Sequence, residues 1–135
     1  MVCAYCGADT RVANSRHQKR NNHVWRRRRC KACGAVFTTL EAIDTPSALI
    51  VDSGGRSGPF LPDRLYSEVL MALQGRPDRY VAAREITNTV ILRLLKLPEK
   101  PLFRPAQISA VTSAVLKNFD KQSYLRYAAE HPSLQ

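Results

Sequence analysis

The sequence predicts an α+β protein: a small three-stranded sheet that holds a metal ion, then a mainly helical domain. Three observations support this fold class. Four cysteines form two Cys-x-x-Cys pairs, β-branched and aromatic residues flank the second pair, and the apolar spacing becomes helical after residue 60. A chain of 135 residues can form one ordinary domain or two small ones.

The cysteines are Cys3, Cys6, Cys30 and Cys33, and a glycine follows the second cysteine of each pair. Two such pairs supply the four thiolates that zinc prefers, and four protein ligands close its coordination shell, so we predict a structural zinc ion. Two disulfides are the alternative. We favour zinc because the N terminus does not resemble a secretion signal, and cytosolic thiols stay reduced.

The strands of the first domain are predicted from their β-branched and aromatic residues. Residues 11–14 and 23–29 form two strands around a turn at Asn21-Asn22, and residues 35–41 form the third. Each Cys-x-x-Cys turn is called a knuckle here. A zinc ribbon has this order of elements: a knuckle, two strands, a second knuckle and a third strand. We place this domain at residues 1–45, where zinc would stand in for a large core, and end it near Pro46.

The second predicted domain, residues 46–135, contains a β-hairpin and four helices. A buried strand at 48–51 precedes a glycine-rich turn at 53–58 and a weak second arm. Pro105 suits a first helical position, and Asp120 suits a helix cap. The predicted helices cover 63–73, 81–96, 105–119 and 121–130, with a loop at 97–104.

The charge of the chain points to nucleic acid. There are 21 lysines and arginines against 11 acidic residues, a net charge of +10. Residues 1–45 hold nine of the basic residues and only three acidic ones. A compact basic metal module favours a nucleic-acid partner. No apolar run is long enough to span a membrane, so we expect a cytoplasmic protein that does not bind membranes.

An arginine run lies directly before Cys30. On a strand, Arg26 and Arg28 share one face, while Arg27 and Arg29 share the other with Trp25. The run lacks acidic neighbours in sequence, and arginine suits both phosphate and guanine. Trp25 would stack on a base, wedge a groove or cover the small core. The candidate DNA-binding residues are Arg16, Trp25, Arg26, Arg27, Arg28, Arg29 and Lys31.

Catalysis finds little support in the sequence. Outside the zinc ligands there is no Cys/His pair, metal-binding carboxylate cluster or Walker A motif. The glycine-rich turn is a weak phosphate-binding signal, and we favour an ordinary hairpin turn as its explanation. We therefore predict that the chain is not an enzyme.

Several segments together resemble the bacterial NrdR family of transcriptional repressors. They are residues 12–16, the stretch RRRRCKACGAVFTTLE at 26–41, Pro59-Phe60, and residues 116–128. The resemblance implies an N-terminal zinc ribbon that binds double-stranded DNA and a C-terminal ATP-cone. It also implies a homo-oligomer that ATP and dATP control. The nucleotide-binding candidates are Gly55, Arg56 and Arg64, the last in place of a family lysine.

Some positions depart from the family pattern. Trp25, Arg29 and Val36 replace other residues of the ribbon, so we expect a different DNA sequence preference. In the cone hairpin, Asp52 stands where the family has a phosphate-binding lysine. An aspartate facing a triphosphate would repel it, so we expect weakened nucleotide control.

The predicted function is therefore that of a sequence-specific, zinc-dependent transcriptional regulator, a repressor that occludes promoters. The alternative is a zinc-ribbon module that docks on the transcription machinery or on another protein.

Overall fold

The computed structural model describes residues 1–131 and divides into two compact units. The first, the ribbon unit, is Met1–Ile43, and the second, the helical unit, begins at Asp44. An α+β fold with a three-stranded sheet before a mainly helical region matches the predicted fold class. None of the helices in the described part of the chain has the length and apolar character needed to cross a membrane.

The ribbon unit is an antiparallel sheet in the order β1-β2-β3. Its strands are β1 (Thr10–Gln18), β2 (His23–Cys30) and β3 (Val36–Glu41). The predicted turn at Asn21-Asn22 joins the first two strands, and Asn22 adopts a φ of 49°, which asparagine tolerates better than most residues. β1 is longer than predicted and carries a bulge between Val12 and Asn14.

Few side chains of the ribbon unit are shielded from solvent. Of the residues described in this unit, only Cys3 and Cys30 are buried. Most side chains of β1 are exposed, and apart from Cys30 the side chains of β2 and β3 are at best half-buried. An apolar core therefore contributes little, and the cysteine cluster has to hold the unit together.

The helical unit contains a small mixed sheet and five helices. Its elements are α1 (Thr45–Ala48), β4 (Ile50–Asp52), β5 (Ser57–Pro59), α2 (Pro62–Ala72), α3 (Arg79–Leu94), β6 (Leu102–Phe103), α4 (Pro105–Phe119) and α5 (Lys121–Glu130). The sheet order is β5-β4-β6, with β4 antiparallel to β5 and parallel to β6. The four predicted helices are confirmed, as is the hairpin of β4 and β5.

Two predictions about this unit are wrong. Residues 97–104 are not all loop, because Leu102 and Phe103 pair with β4 and Phe103 is buried. The predicted strand at 48–51 starts only at Ile50, because a helical turn with a proline in its first turn occupies Thr45–Ala48.

The core of the helical unit comes from apolar side chains at helical spacing. Leu65 and Val69 contribute from α2, with Leu73 just after its end, and Ile86, Val90 and Leu94 contribute from α3. Leu116 of α4 and Tyr127 of α5 complete the core on the other side. Side chains three or four positions apart lie on one face of a helix, so a continuous apolar stripe is buried.

The last helix has the predicted cap. The carboxylate of Asp120 accepts hydrogen bonds from the backbone N–H and the hydroxyl of Ser123, the first at 2.8 Å. These bonds favour the ionised form and lower the pKa of Asp120, the hydroxyl contributing most. The cap joins α4 to α5 without an intervening loop, since Asp120 also ends α4.

Candidate metal centre and nucleic-acid interface

The four cysteine sulfur atoms meet at one end of the ribbon. All four lie within 4.8 Å of one another, with 3.7 Å between Cys3 and Cys33 and 3.5 Å between Cys6 and Cys30. A disulfide needs about 2.05 Å, so these thiols are free. Tetrahedral bonds of about 2.3 Å to zinc place sulfur atoms about 3.8 Å apart. The observed spacing therefore fits a zinc ion.

The two cysteine knuckles share the same local geometry. Gly7 and Gly34 both adopt a φ of 73°, which an L side chain rarely does. The backbone N–H of Cys3 donates to Ala8, and that of Cys30 donates to Ala35, at 2.8 and 2.9 Å. Each knuckle therefore presents its two sulfur atoms from a rigid turn.

The protonation of the cluster also suits a divalent cation. Backbone hydrogen bonding from Cys33 lowers the pKa of Cys30 to about 6. The backbone of Ala35 favours the thiolate of Cys33, but the thiols of Cys6 and Cys30 outweigh it and raise the pKa of Cys33 to about 12. Neighbouring thiolates repel one another, and a doubly charged ion would remove this repulsion. Zinc would complete its shell with these four ligands and act structurally.

Strand β2 presents its arginines on two different faces. Arg26 and Arg28 are half-buried, whereas Arg27 and Arg29 are exposed. This alternation in exposure agrees with the prediction that Arg26 and Arg28 share one face of the strand and that Arg27 and Arg29 share the other. It also means that the four arginines are not equivalent, since only two are fully available to a partner.

The half-buried arginines are already engaged within the sheet. Arg26 forms a 2.7 Å ion pair with Glu41, the last residue of β3. Arg28 donates from Nε to the hydroxyl of Thr39 at 3.2 Å, and its Nη1 lies 3.5 Å from the hydroxyl of Thr10. The run lacks acidic neighbours in sequence, as stated above, but Arg26 has an acidic partner in the folded sheet. The register supplies Glu41, which is distant in sequence.

The opposite side of the sheet is an exposed basic surface, here called the arginine face. The register places Arg11 opposite Arg29, Asn14 opposite Arg27 and Arg16 opposite Trp25. None of the residues that the register places on this face in β1–β3 is acidic. The arginine face comprises Arg11, Arg16, Arg27 and Arg29 around a half-buried Trp25, with the exposed side chains of Val36 and Leu40 beside them.

Sequence reasoning missed one member of this face. Arg11 is exposed and pairs with Arg29, which the bulge in β1 makes possible by shifting the register between Val12 and Asn14. A strict alternation along β1 would put Arg11 on the other side from Asn14 and Arg16. Lys31 is exposed in the second knuckle, where its backbone N–H donates to Asp9.

The helical unit contains a cavity of about 470 Å³ beside the β4–β5 hairpin. Two of the three nucleotide-binding candidates, Arg56 and Arg64, line it, and Gly55 does not. Apolar walls come from the hairpin, α2 and α4. The apolar lining residues are Val51, Pro59, Phe60, Leu61, Leu65, Pro105 and Ile108. The mixture of arginines and apolar walls suits a ligand with both an anionic and an apolar part.

Asp52 does not face this cavity. Its carboxylate accepts a hydrogen bond from Gly55 N–H at 2.9 Å within the hairpin turn, and it borders a separate cleft with Arg104. The Asp52 side chain therefore stabilises the turn and does not line this cavity, while its repulsion of a triphosphate stays a prediction. The acidic residue that lines the cavity is Glu68, with His131 beside it.

The family of this chain follows from its similarity to known proteins. Residues 1–41 match the model described as the N-terminal domain of NrdR-like transcriptional repressors. The chain is 35% identical over 130 residues to "Transcriptional repressor NrdR" of Rhodospirillum centenum, covering 96% of this chain and 84% of that one. The chain belongs to the NrdR family.

Relatives from other bacteria carry the same name. Identity is 33% over 136 residues with the Chromobacterium violaceum protein, covering all of this chain and 89% of that one. Identity is also 33% over 130 residues with the Thermus thermophilus protein, covering 96% of this chain and 82% of that one. The NrdR family is one of transcriptional repressors, so the expectation that the chain is not an enzyme is confirmed, and zinc is its metal cofactor.

Proposed function

We propose that this chain is a sequence-specific DNA-binding repressor of the cytoplasm, and that it binds through the arginine face of its ribbon unit. The observation that carries the proposal is the grouping of four exposed arginines on a face without acidic residues, next to a metal centre. Membership of the NrdR family supports the regulatory role.

The chemistry of the arginine face suits duplex DNA. Arg27 and Arg29 lie on the central strand, which Cys30 anchors to the metal centre. A guanidinium binds phosphate, and it can also donate two hydrogen bonds to guanine in the major groove, which is wide enough for a β-ribbon. Leu40 and Val36 add apolar contacts that suit the thymine methyl group.

Repression would follow from occupancy of the promoter. In this mechanism the helical unit forms a homo-oligomer, and paired ribbons then bind paired half-sites, which raises both affinity and specificity. A repressor bound at the promoter would prevent the polymerase from binding to the same DNA.

The cavity of the helical unit is the proposed site of nucleotide control. Arg56 and Arg64 would bind the phosphates of ATP or dATP, and the apolar wall would receive the base. Ligand binding would then bias the oligomeric state and, through it, DNA affinity.

Two double variants of strand β2, compared with each other, test the proposal that the arginine face binds DNA. Arg27→Ala with Arg29→Ala removes two exposed charges, whereas Arg26→Ala with Arg28→Ala removes two charges that bind Glu41, Thr39 and Thr10. Fluorescence anisotropy on upstream DNA should show a large loss for the first pair only. If each exposed arginine contacts a phosphate, the slope of log affinity against log salt falls by about 0.9 per arginine.

Zinc content and the circular dichroism spectrum serve as controls, because the variants must keep the ribbon folded. Equal losses for the two double variants, or a loss confined to the second, would contradict the assignment of the arginine face.

Docking on another protein is the second candidate function. Leu40 and Val36 are 63% and 43% exposed on the arginine face, and exposed apolar groups also suit a protein partner. A DNA reader should prefer its operator over random duplex by about a thousandfold or more. Affinity that is independent of sequence would favour the docking function.

A further inference from the structure

We infer that Glu68 is a specificity-determining residue of the cavity, and that it lowers the affinity for ligands with several phosphate charges. This inference rests on the proposed nucleotide-binding role of the cavity. It concerns a side chain that neither the charge of the chain nor its motifs singled out.

Glu68 lies between two basic side chains. Its Oε1 accepts from Nε of Arg64 at 3.2 Å, one turn earlier on α2, and its Oε2 lies 3.8 Å from Nε2 of His131 at the end of α5. All three residues line the 470 Å³ cavity. The side chain of Glu68 is 32% exposed and that of Arg64 is 80% exposed, so the carboxylate lies deeper than its guanidinium partner.

The pairing changes what Arg64 offers to a ligand. Of the guanidinium donors, Nε is already bonded to Glu68, so a phosphate has to share Arg64 with a carboxylate or displace it. Tyr127 holds the other side of the His131 ring. Nδ1 of His131 lies 2.8 Å from the Tyr127 carbonyl oxygen, and the rings of Tyr127 and His131 stack with their centroids 4.1 Å apart. Glu68 therefore faces an imidazole that Tyr127 holds in place and an arginine that is largely exposed.

The charge balance of the cavity follows from this arrangement. The lining contains two arginines and one carboxylate, so Glu68 offsets half of the permanent positive charge. A carboxylate repels a triphosphate more strongly than a monophosphate, because the repulsion scales with the charge of the ligand. The native cavity should therefore discriminate weakly among AMP, ADP and ATP.

The test compares Glu68→Gln with the native chain in titrations of fluorescent AMP, ADP and ATP analogues. Glutamine keeps the size and removes the charge. A unit charge about 4 Å away is worth about fivefold in affinity even in water, so ATP affinity should rise by about fivefold, with smaller gains for ADP and AMP. Glu85→Gln is the matched control, since it removes the same charge from an exposed position on α3.

Each outcome has a distinct meaning. If the native chain binds ATP and Glu68→Gln binds it equally or less tightly, the inference is overturned while the proposed nucleotide site stands. If Glu68→Gln binds and the native chain does not, the inference is supported. If neither binds, both are overturned. An equal gain in Glu85→Gln would show a nonspecific effect of net charge and would also overturn the inference.

Discussion

The ribbon unit and the helical unit are held together by different forces. In the ribbon unit the buried side chains, among the residues described, are two cysteines, whereas the helical unit buries Leu49, Val69, Leu73, Val90 and many other apolar side chains. Metal coordination replaces the hydrophobic effect in the first unit, whereas the second has no cluster of metal-ligating side chains within residues 44–131. The comparison implies that each unit can be damaged by a treatment that spares the other.

The largest effect is expected at the metal centre. Cys30→Ser should release zinc and unfold the ribbon unit, since the binding free energy of a structural zinc ion is also the folding free energy of its domain. Zinc content by mass spectrometry should fall to background, while the helical signal in circular dichroism remains. Retention of zinc would show that three cysteines suffice.

A core substitution should give the opposite result. Leu116 of α4 is fully buried, so Leu116→Ala should cost the helical unit about 2–5 kcal/mol of unfolding free energy. Zinc content should be unchanged. Leu125→Ala is the control, because Leu125 is exposed on the neighbouring helix and its loss should change stability very little. Chemical denaturation followed by the helical signal in circular dichroism measures the unfolding free energy of both variants. Equal destabilisation by the two substitutions would contradict the assignment of Leu116 to the core.

A smaller effect is expected at the cap of α5. Asp120→Asn should lower the melting temperature of the helical unit slightly at neutral pH, because asparagine keeps an acceptor for the Ser123 N–H and removes only the negative charge at the start of α5. The folded-state pKa is lowered, so this stability is present above the ordinary value of 3.8 and is lost as pH falls through the folded value. The difference between native and variant chains should therefore shrink below pH 3.8. A difference that persists in acid would show that the charge is not responsible.

Sequence alone predicted the features that depend on local spacing. The paired cysteines, the turn before β2, and the helix from Pro105 to Phe119 follow from motifs and periodicity within a few residues. The Asp120 cap follows for the same reason, since its partner Ser123 is three positions away.

The features that escaped prediction depend on pairing between distant segments. The ion pair of Arg26 with Glu41 requires the register of β2 and β3, and the alignment of Arg11 with Arg29 requires a bulge. Glu68 meets His131 only because α2 and α5 pack together. Alternation predicted that the arginines divide between two faces, but it could not show which face is already occupied.

The parallel pairing of β4 with β6 has a consequence for biosynthesis. Residues 50 and 51 pair with residues 102 and 103, so α2 and α3 must be made before the sheet is complete. Until then, one edge of β4 exposes unpaired backbone groups, which can pair with another chain. The ribbon, by contrast, closes through adjacent hairpins as soon as metal is available. A chain released before residue 102 would therefore carry a complete ribbon and an incomplete small sheet.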